Sequence, residues 1–154
     1  MIQRIQTLFL LIALILILSC FVMPIAVLSG ANGDIYHYNF QGFIGFGGTV
    51  AGHWIKQYSM FISGIIISLI SLISIFLYKR RILQMRLCIY NMILMAGMTF
   101  MFYYVVNNVK GQLSMVVQYK YPAIFPLIAA IFTYLAFRGI QKDDKLVKSY
   151  DRLR

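Results

Sequence analysis

Few side chains in this chain could do chemistry, and their spacing withholds most reactions. The histidines are His37 and His53, and the cysteines are Cys20 and Cys88. Two imidazoles in one loop could hold a metal. Asp34 is the only carboxylate near them and no cysteine is close, so the usual four-ligand set is not met. A membrane haem site would need axial ligands such as histidine on facing helices. Disulfide exchange would use a Cys-x-x-Cys pair. The run Gly45-Phe46-Gly47-Gly48 lacks the Lys and Ser/Thr of a phosphate loop. No Ser–His or paired-Asp arrangement falls within an apolar run. No catalytic residue, cofactor or metal is therefore assigned.

Inside the apolar runs the polar candidates are Asn91, Ser68 and Ser71. Proton- or ion-coupled carriers usually hold an ionisable group at membrane depth, and the central portion of each run has none. Asn91 is read as a hydrogen-bonding link between helices. Gly64, Ser68 and Ser71 recur at helical spacing and form a small-residue stripe. Their packing role is favoured over a polar path, because a serine can return its hydroxyl to its own helix.

The elements that must position these residues follow from composition. The 154-residue chain is 61% hydrophobic and 12% charged, against about 25% charged for a soluble domain. Four apolar runs cover residues 7–28, 58–78, 87–106 and 121–140. Each is long enough to span about 30 Å of hydrocarbon. The first run competes with a signal peptide, and Ile17-Leu18-Ser19-Cys20 resembles a lipoprotein cleavage site. It exceeds the roughly 7–15 residues of a cleaved apolar region, so an uncleaved anchor is expected. Cys20 and Cys88 are expected at different depths and unpaired.

The loops carry the orientation. Arg4, Lys79, Arg80, Arg81, Arg86, Arg138, Lys142, Lys145, Lys148, Arg152 and Arg154 fall on one side of the four runs. Lys56, Lys110 and Lys120 fall on the other. An eleven-to-three bias places the richer side, with both termini, in the cytoplasm. The formal charge of +10 is better matched to anionic lipid headgroups than to nucleic acid, because the charges stand at the ends of apolar runs.

The outer loops, 29–57 and 107–120, show strand periodicity. In residues 34–41, Tyr36, Tyr38 and Phe40 alternate with Ile35, His37 and Asn39. From 112 to 121, Leu113, Met115, Val117, Tyr119 and Tyr121 alternate with Gln112, Ser114, Gln118 and Lys120. Asn107, Asn108 and Gly111 are expected to end the third helix. A small outer sheet should rest its aromatics on the helices. Residues 141–154 read as a cytoplasmic amphipathic helix, with Leu146, Val147, Tyr150 and Leu153 on one face and Asp143 and Asp144 in its first turn.

Three stretches carry a family resemblance. They are Met1-Ile2-Gln3-Arg4-Ile5-Gln6, the loop from Lys79-Arg80-Arg81 to Leu87-Cys88, and the close Asp144-Lys145 to Asp151-Arg152-Leu153-Arg154. Together they resemble an uncharacterised four-span membrane family of Bacteroidetes-type bacteria, domain of unknown function 4293. The resemblance implies a bacterial inner-membrane protein with no assigned activity.

The expected architecture is an all-α membrane protein. It comprises an antiparallel four-helix transmembrane bundle, a small extracytoplasmic β-structure and a C-terminal cytoplasmic amphipathic helix, in one domain. The favoured function is a non-enzymatic interaction or scaffold subunit. It would use Arg4, Lys79, Arg80, Arg81, Arg86, Lys145, Lys148, Asp151, Arg152 and Arg154 to meet a protein partner or anionic lipid. The alternative is a small transporter, lipid-handling protein or enzyme with an amphiphilic substrate held beside Asn91, Ser68 and Ser71.

Overall fold

The computed structural model describes residues 2–30, 34–46, 54–56, 58–113 and 116–151. The order is α1 (Ile2–Val22), β1 (Ala26–Ser29), β2 (Ile35–Asn39), β3 (Gly42–Phe46), β4 (Trp54–Lys56) and α2 (Tyr58–Phe76). A 3-10 turn (Leu77–Lys79) leads to α3 (Arg81–Leu113), then β5 (Val116–Tyr119). A second 3-10 turn (Tyr121–Ile124) opens α4 (Phe125–Asp151). Four helices are long and apolar enough to cross a membrane. α1 packs on α2 and α4, and α3 packs on the same two helices.

One period governs all four helices. The buried positions are Gln6, Leu10, Ala13, Ile17 and Cys20 on α1, and Met60, Gly64, Ile67, Ser71 and Ser74 on α2. On α3 they include Gln84, Cys88, Asn91, Met95, Met98, Phe102 and Val105. On α4 they include Ala129, Thr133, Ala136, Ile140 and Asp143. The steps between these positions are four or three residues, the alternation of a seven-residue repeat; Val106, beside Val105 on α3, is buried in addition. That period keeps one stripe facing the neighbours when helices cross at about 20°. The exposed positions between are as apolar as the seam or more so: Leu8, Leu11, Ile15 and Leu18 on α1, and Ile62, Ile66, Leu69 and Ile73 on α2.

The sheet has five antiparallel strands in the order β4-β3-β2-β1-β5. Tyr36, Tyr38 and Phe40 are buried, while Ile35, His37 and Asn39 are not, in agreement with the alternation in the sequence. A two-residue turn, Phe40-Gln41, joins β2 to β3, and Gly42 follows at φ 127°, a conformation that favours glycine. This turn drives Phe40 into the helices. Its ring stacks on Phe21 of α1 at 4.4 Å and meets Phe102 of α3 edge-on at 5.5 Å. Gly64 of α2 lies beneath, where a Cβ would stand 2.5 Å from Phe40 and 2.8 Å from Phe21. Gly64 therefore admits two aromatic rings, in addition to belonging to a helix-packing stripe.

The element boundaries correct the sequence reading in several places, among them the start of α3 at Arg81 rather than at residue 87. α1 stops at Val22, and residues 26–29 of the first apolar run form the strand β1 instead. Pro24 explains this, because proline lacks an amide and disfavours helix in the residue before it. α3 continues past Asn107, Asn108 and Gly111 to Leu113, so those residues do not end it. The expected strand at 112–121 shrinks to Val116–Tyr119, which among the described residues pairs with β1 at the edge of the sheet; Ser114 and Met115 lie outside the described residues. Finally, residues 141–151 continue α4 without a break and form no separate helix. Asp143 and Asp144 thus sit well inside a helix and not in a first turn.

Candidate functional site

Gln6, near the start of α1, and Asp143, near the end of α4, occupy the last seam positions at the end of the molecule away from the sheet. The Gln6 amide Nε2 donates to Asp143 Oδ2 at 2.6 Å. Gln6 is 7% and Asp143 8% exposed. Gly139, one turn back on α4, makes room for the bond: a Cβ there would stand 2.9 Å from Gln6 Cγ. Arg81, the first residue of α3, donates from Nη1 to the Asp143 carbonyl oxygen at 3.5 Å. The joint therefore ties the N-terminal helix, the α2–α3 connection and the C-terminal stretch of α4 together. Asp143 Oδ1 is buried without a hydrogen-bond partner among the described residues.

A second polar layer lies between α2 and α3. Asn91 Nδ2 donates to Ser71 Oγ at 2.7 Å, and Gln84 Nε2 donates to the Ser74 carbonyl at 2.9 Å. Asn91 and Ser71 are fully buried on the seam. Ser68 is different: it is half-buried and returns its hydroxyl to the Gly64 carbonyl at 2.8 Å. It lines an apolar surface groove of about 330 Å³ with Leu14, Leu18, Phe21, Ile65, Leu69 and Leu72. Ser68 is thus separated from the Asn91–Ser71 pair.

Of the candidate basic residues, Arg81 reaches the Gln6–Asp143 joint. Arg80, Arg86 and Lys145 are exposed and Arg81 is half-buried. An open groove of about 650 Å³ runs between Arg80, Arg81, Ile82 and Leu83 of the α3 start and Asp144 and Val147 of α4. Arg138, Gly139, Gln141, Lys142 and Lys145 line another concave surface. Arg4 and Lys79 lie in described backbone, as do Lys148 and Asp151 of α4, but their side chains are not described. Arg152 and Arg154 lie outside the described residues.

A family model described as a domain of unknown function (DUF4293) matches residues 2–153. The chain belongs to the DUF4293 family. No curated protein matches it. The family brings no activity with it, so the DUF4293 chain must be read from its own geometry. Cys20 and Cys88 are free and buried; the Cys20 thiol donates to the Leu16 and Pro122 carbonyls at 3.4 and 3.5 Å. Among the described residues no three His, Cys, Asp or Glu side chains are grouped to hold a metal ion. At the sheet, Tyr38 Oη is buried without a partner among the described residues, and burial pushes its phenol well above the ordinary range.

Gln6, Gln84, Gly139 and Asp143 are not among the candidate residues that the sequence points to. Their signal was available: each falls on the four-three spacing that also carries Asn91 and Ser71, Gly139 alone excepted. That spacing is hard to see when both sides of a helix are apolar.

Proposed function

We propose that this protein is an integral membrane protein of the bacterial inner membrane, an antiparallel four-helix bundle with both termini in the cytoplasm. Its basic end is the interaction surface of a non-enzymatic scaffold subunit. The observation that carries this reading is the joint of Gln6, Asp143 and Arg81. It joins the start of α1, the start of α3 and the C-terminal stretch of α4, and in the sequence eleven of the fourteen Lys and Arg residues fall in or beside these segments. The positive-inside rule assigns that end to the cytoplasm. The polar groups of the seam bond mostly to one another or to helix backbone, which suits a packed core better than a translocation path.

The test is affinity purification of the native protein in mild detergent, beside a truncation ending at Lys145. That truncation retains Asp143 and removes Lys148, Asp151, Arg152 and Arg154. A stoichiometric protein partner should be recovered with the full chain and lost with the truncation. Unchanged recovery would exclude the tail as the interaction surface. Labelling of single cysteines placed at Arg80 and at Gln41 tests the orientation: the first should be protected from an impermeant reagent in intact cells and the second should react.

A second reading, a small carrier or lipid-handling protein, has one observation in its favour. Asn91 Oδ1 is buried without a partner among the described residues, so it could accept from a polar ligand. An amphiphile that shifts the Asn91 side-chain resonances would support it, and resonances unchanged across candidate amphiphiles would count against it.

A further inference from the structure

We propose that the groove between the first turn of α3 and the last turns of α4 is a headgroup site for an anionic phospholipid. The site deepens the membrane reading above and rests on it. Its lining joins two chemistries that meet at a lipid headgroup. Arg80 and Arg81 supply cationic, multidentate donors, which suit phosphate oxygens. Ile82, Leu83 and Val147 supply an aliphatic wall that is 53%, 41% and 44% exposed.

Arg81 is held in place by its bond to the Asp143 carbonyl. A guanidinium has five N–H donors, and this bond occupies one. No acidic residue stands in the first turn of α3; the acidic group among the described lining residues is Asp144, across the groove on α4.

The occupant follows from what adjoins the groove. Leu83, Leu87, Tyr90 and Leu94 lie at offsets of four, three and four residues along one face of α3. Leu83, Tyr90 and Leu94 are exposed and Leu87 is half-buried. A phosphate between Arg80 and Arg81 would leave its acyl chains on this uncharged lane. An acidic peptide has no use for such a lane, whereas a phospholipid in the adjoining leaflet needs one. Among the described lining residues Asp144 is the opposing charge. It disfavours an anion there and so provides a substitution with the opposite expected sign.

The experiment is native mass spectrometry of the full chain in detergent, titrated with phosphatidylglycerol and, separately, phosphatidylcholine. Phosphatidylglycerol should bind more tightly. Arg80→Gln should weaken it about five-fold, the effect of one basic side chain near an anionic lipid surface. Arg138→Gln removes the same charge outside the groove and should leave binding unchanged. Asp144→Asn should tighten it.

Equal losses with Arg80→Gln and Arg138→Gln would overturn the site in favour of diffuse charge attraction. Equal affinity for the two lipids would also overturn it. Displacement by equimolar inorganic phosphate would make the groove an anion site without lipid preference. Arg80→Gln leaves the Arg81–Asp143 contact in place, so an unchanged melting temperature separates lost binding from lost folding. Loss of the tail-dependent partner and loss of lipid preference are read in different measurements, so either can fail alone.

Discussion

Gln6 and Asp143 are 137 positions apart in sequence and are joined by a 2.6 Å hydrogen bond inside the protein. The bond closes the seam between α1 and α4 at the basic end, and Arg81 adds α3 to it. Gln6→Ala removes the donor and leaves a buried carboxylate less satisfied. A hydrogen bond to a charged group contributes about 1.5–3 kcal/mol, so a clear fall in the thermal midpoint in detergent is expected. Asp143→Asn keeps an oxygen that can accept from Gln6 and should cost less.

Gly139→Ala should change sign with its background. In the wild type a Cβ would press on Gln6 Cγ at 2.9 Å, offsetting the better helix propensity. In the Gln6→Ala background the obstruction is gone, and alanine should stabilise the helix by up to about 1 kcal/mol. Thermal midpoints of the four proteins in the cycle measure this. Additive effects would mean that Gly139 does not make room for Gln6.

Gly64 and Gly97 should respond in opposite ways to alanine. At Gly64 the new methyl group meets the Phe21–Phe40 stack at 2.5–2.8 Å, whereas at Gly97 nothing lies within 4 Å. Overpacking costs about 1–3 kcal/mol, so Gly64→Ala should lower stability and loosen the sheet from the helices. Gly97→Ala should be neutral or stabilising. Unfolding followed by aromatic circular dichroism distinguishes them.

The Asn91–Ser71 bond should show coupling of about 0.6 kcal/mol, with an upper range near 1.7, as side-chain bonds between membrane helices do. Ser71→Ala leaves both the amide nitrogen and Oδ1 of Asn91 unpartnered. It should therefore be worse than the Ser71→Ala/Asn91→Leu pair, which removes the polar group as well. A double-mutant cycle in detergent checks this.

Tyr38→Phe removes a buried hydroxyl with no partner among the described residues and should be neutral or stabilising. Burial raises the folded-state value of this phenol above its unfolded value of about 10. Ionisation of this phenol therefore leaves stability unchanged below about pH 10 and lowers it as pH rises from there toward the folded value, because the unfolded chain loses the proton first. Denaturation midpoints across alkaline pH should fall less steeply for Tyr38→Phe than for the wild type.

Much of the fold was legible in the chain. The second run matches α2 closely, and the Tyr36-Tyr38-Phe40 alternation located β2 and its buried face. The misplaced ends of α3 and α4 share one cause: hydropathy marks where a helix is apolar and is blind to where it continues in polar residues. α3 runs through Arg81 and Arg86 at one end and Asn107, Asn108 and Lys110 at the other, because exposed polar residues at those ends are compatible with helix. α4 continues through Gln141 and Lys142 for the same reason.

The sequence by itself determined the four apolar helices, the sheet-forming loops and the division of charge between two ends. These depend on local composition and on strand alternation, and each can be read without knowing what touches what. Tertiary structure alone decided the seam and its polar contacts. The exposed faces of these helices are as apolar as the buried ones, so hydrophobicity carries little contrast at helical period. Gln6 meets Asp143, Asn91 meets Ser71 and Phe40 fills the space above Gly64 only once four helices adopt a common seven-residue register.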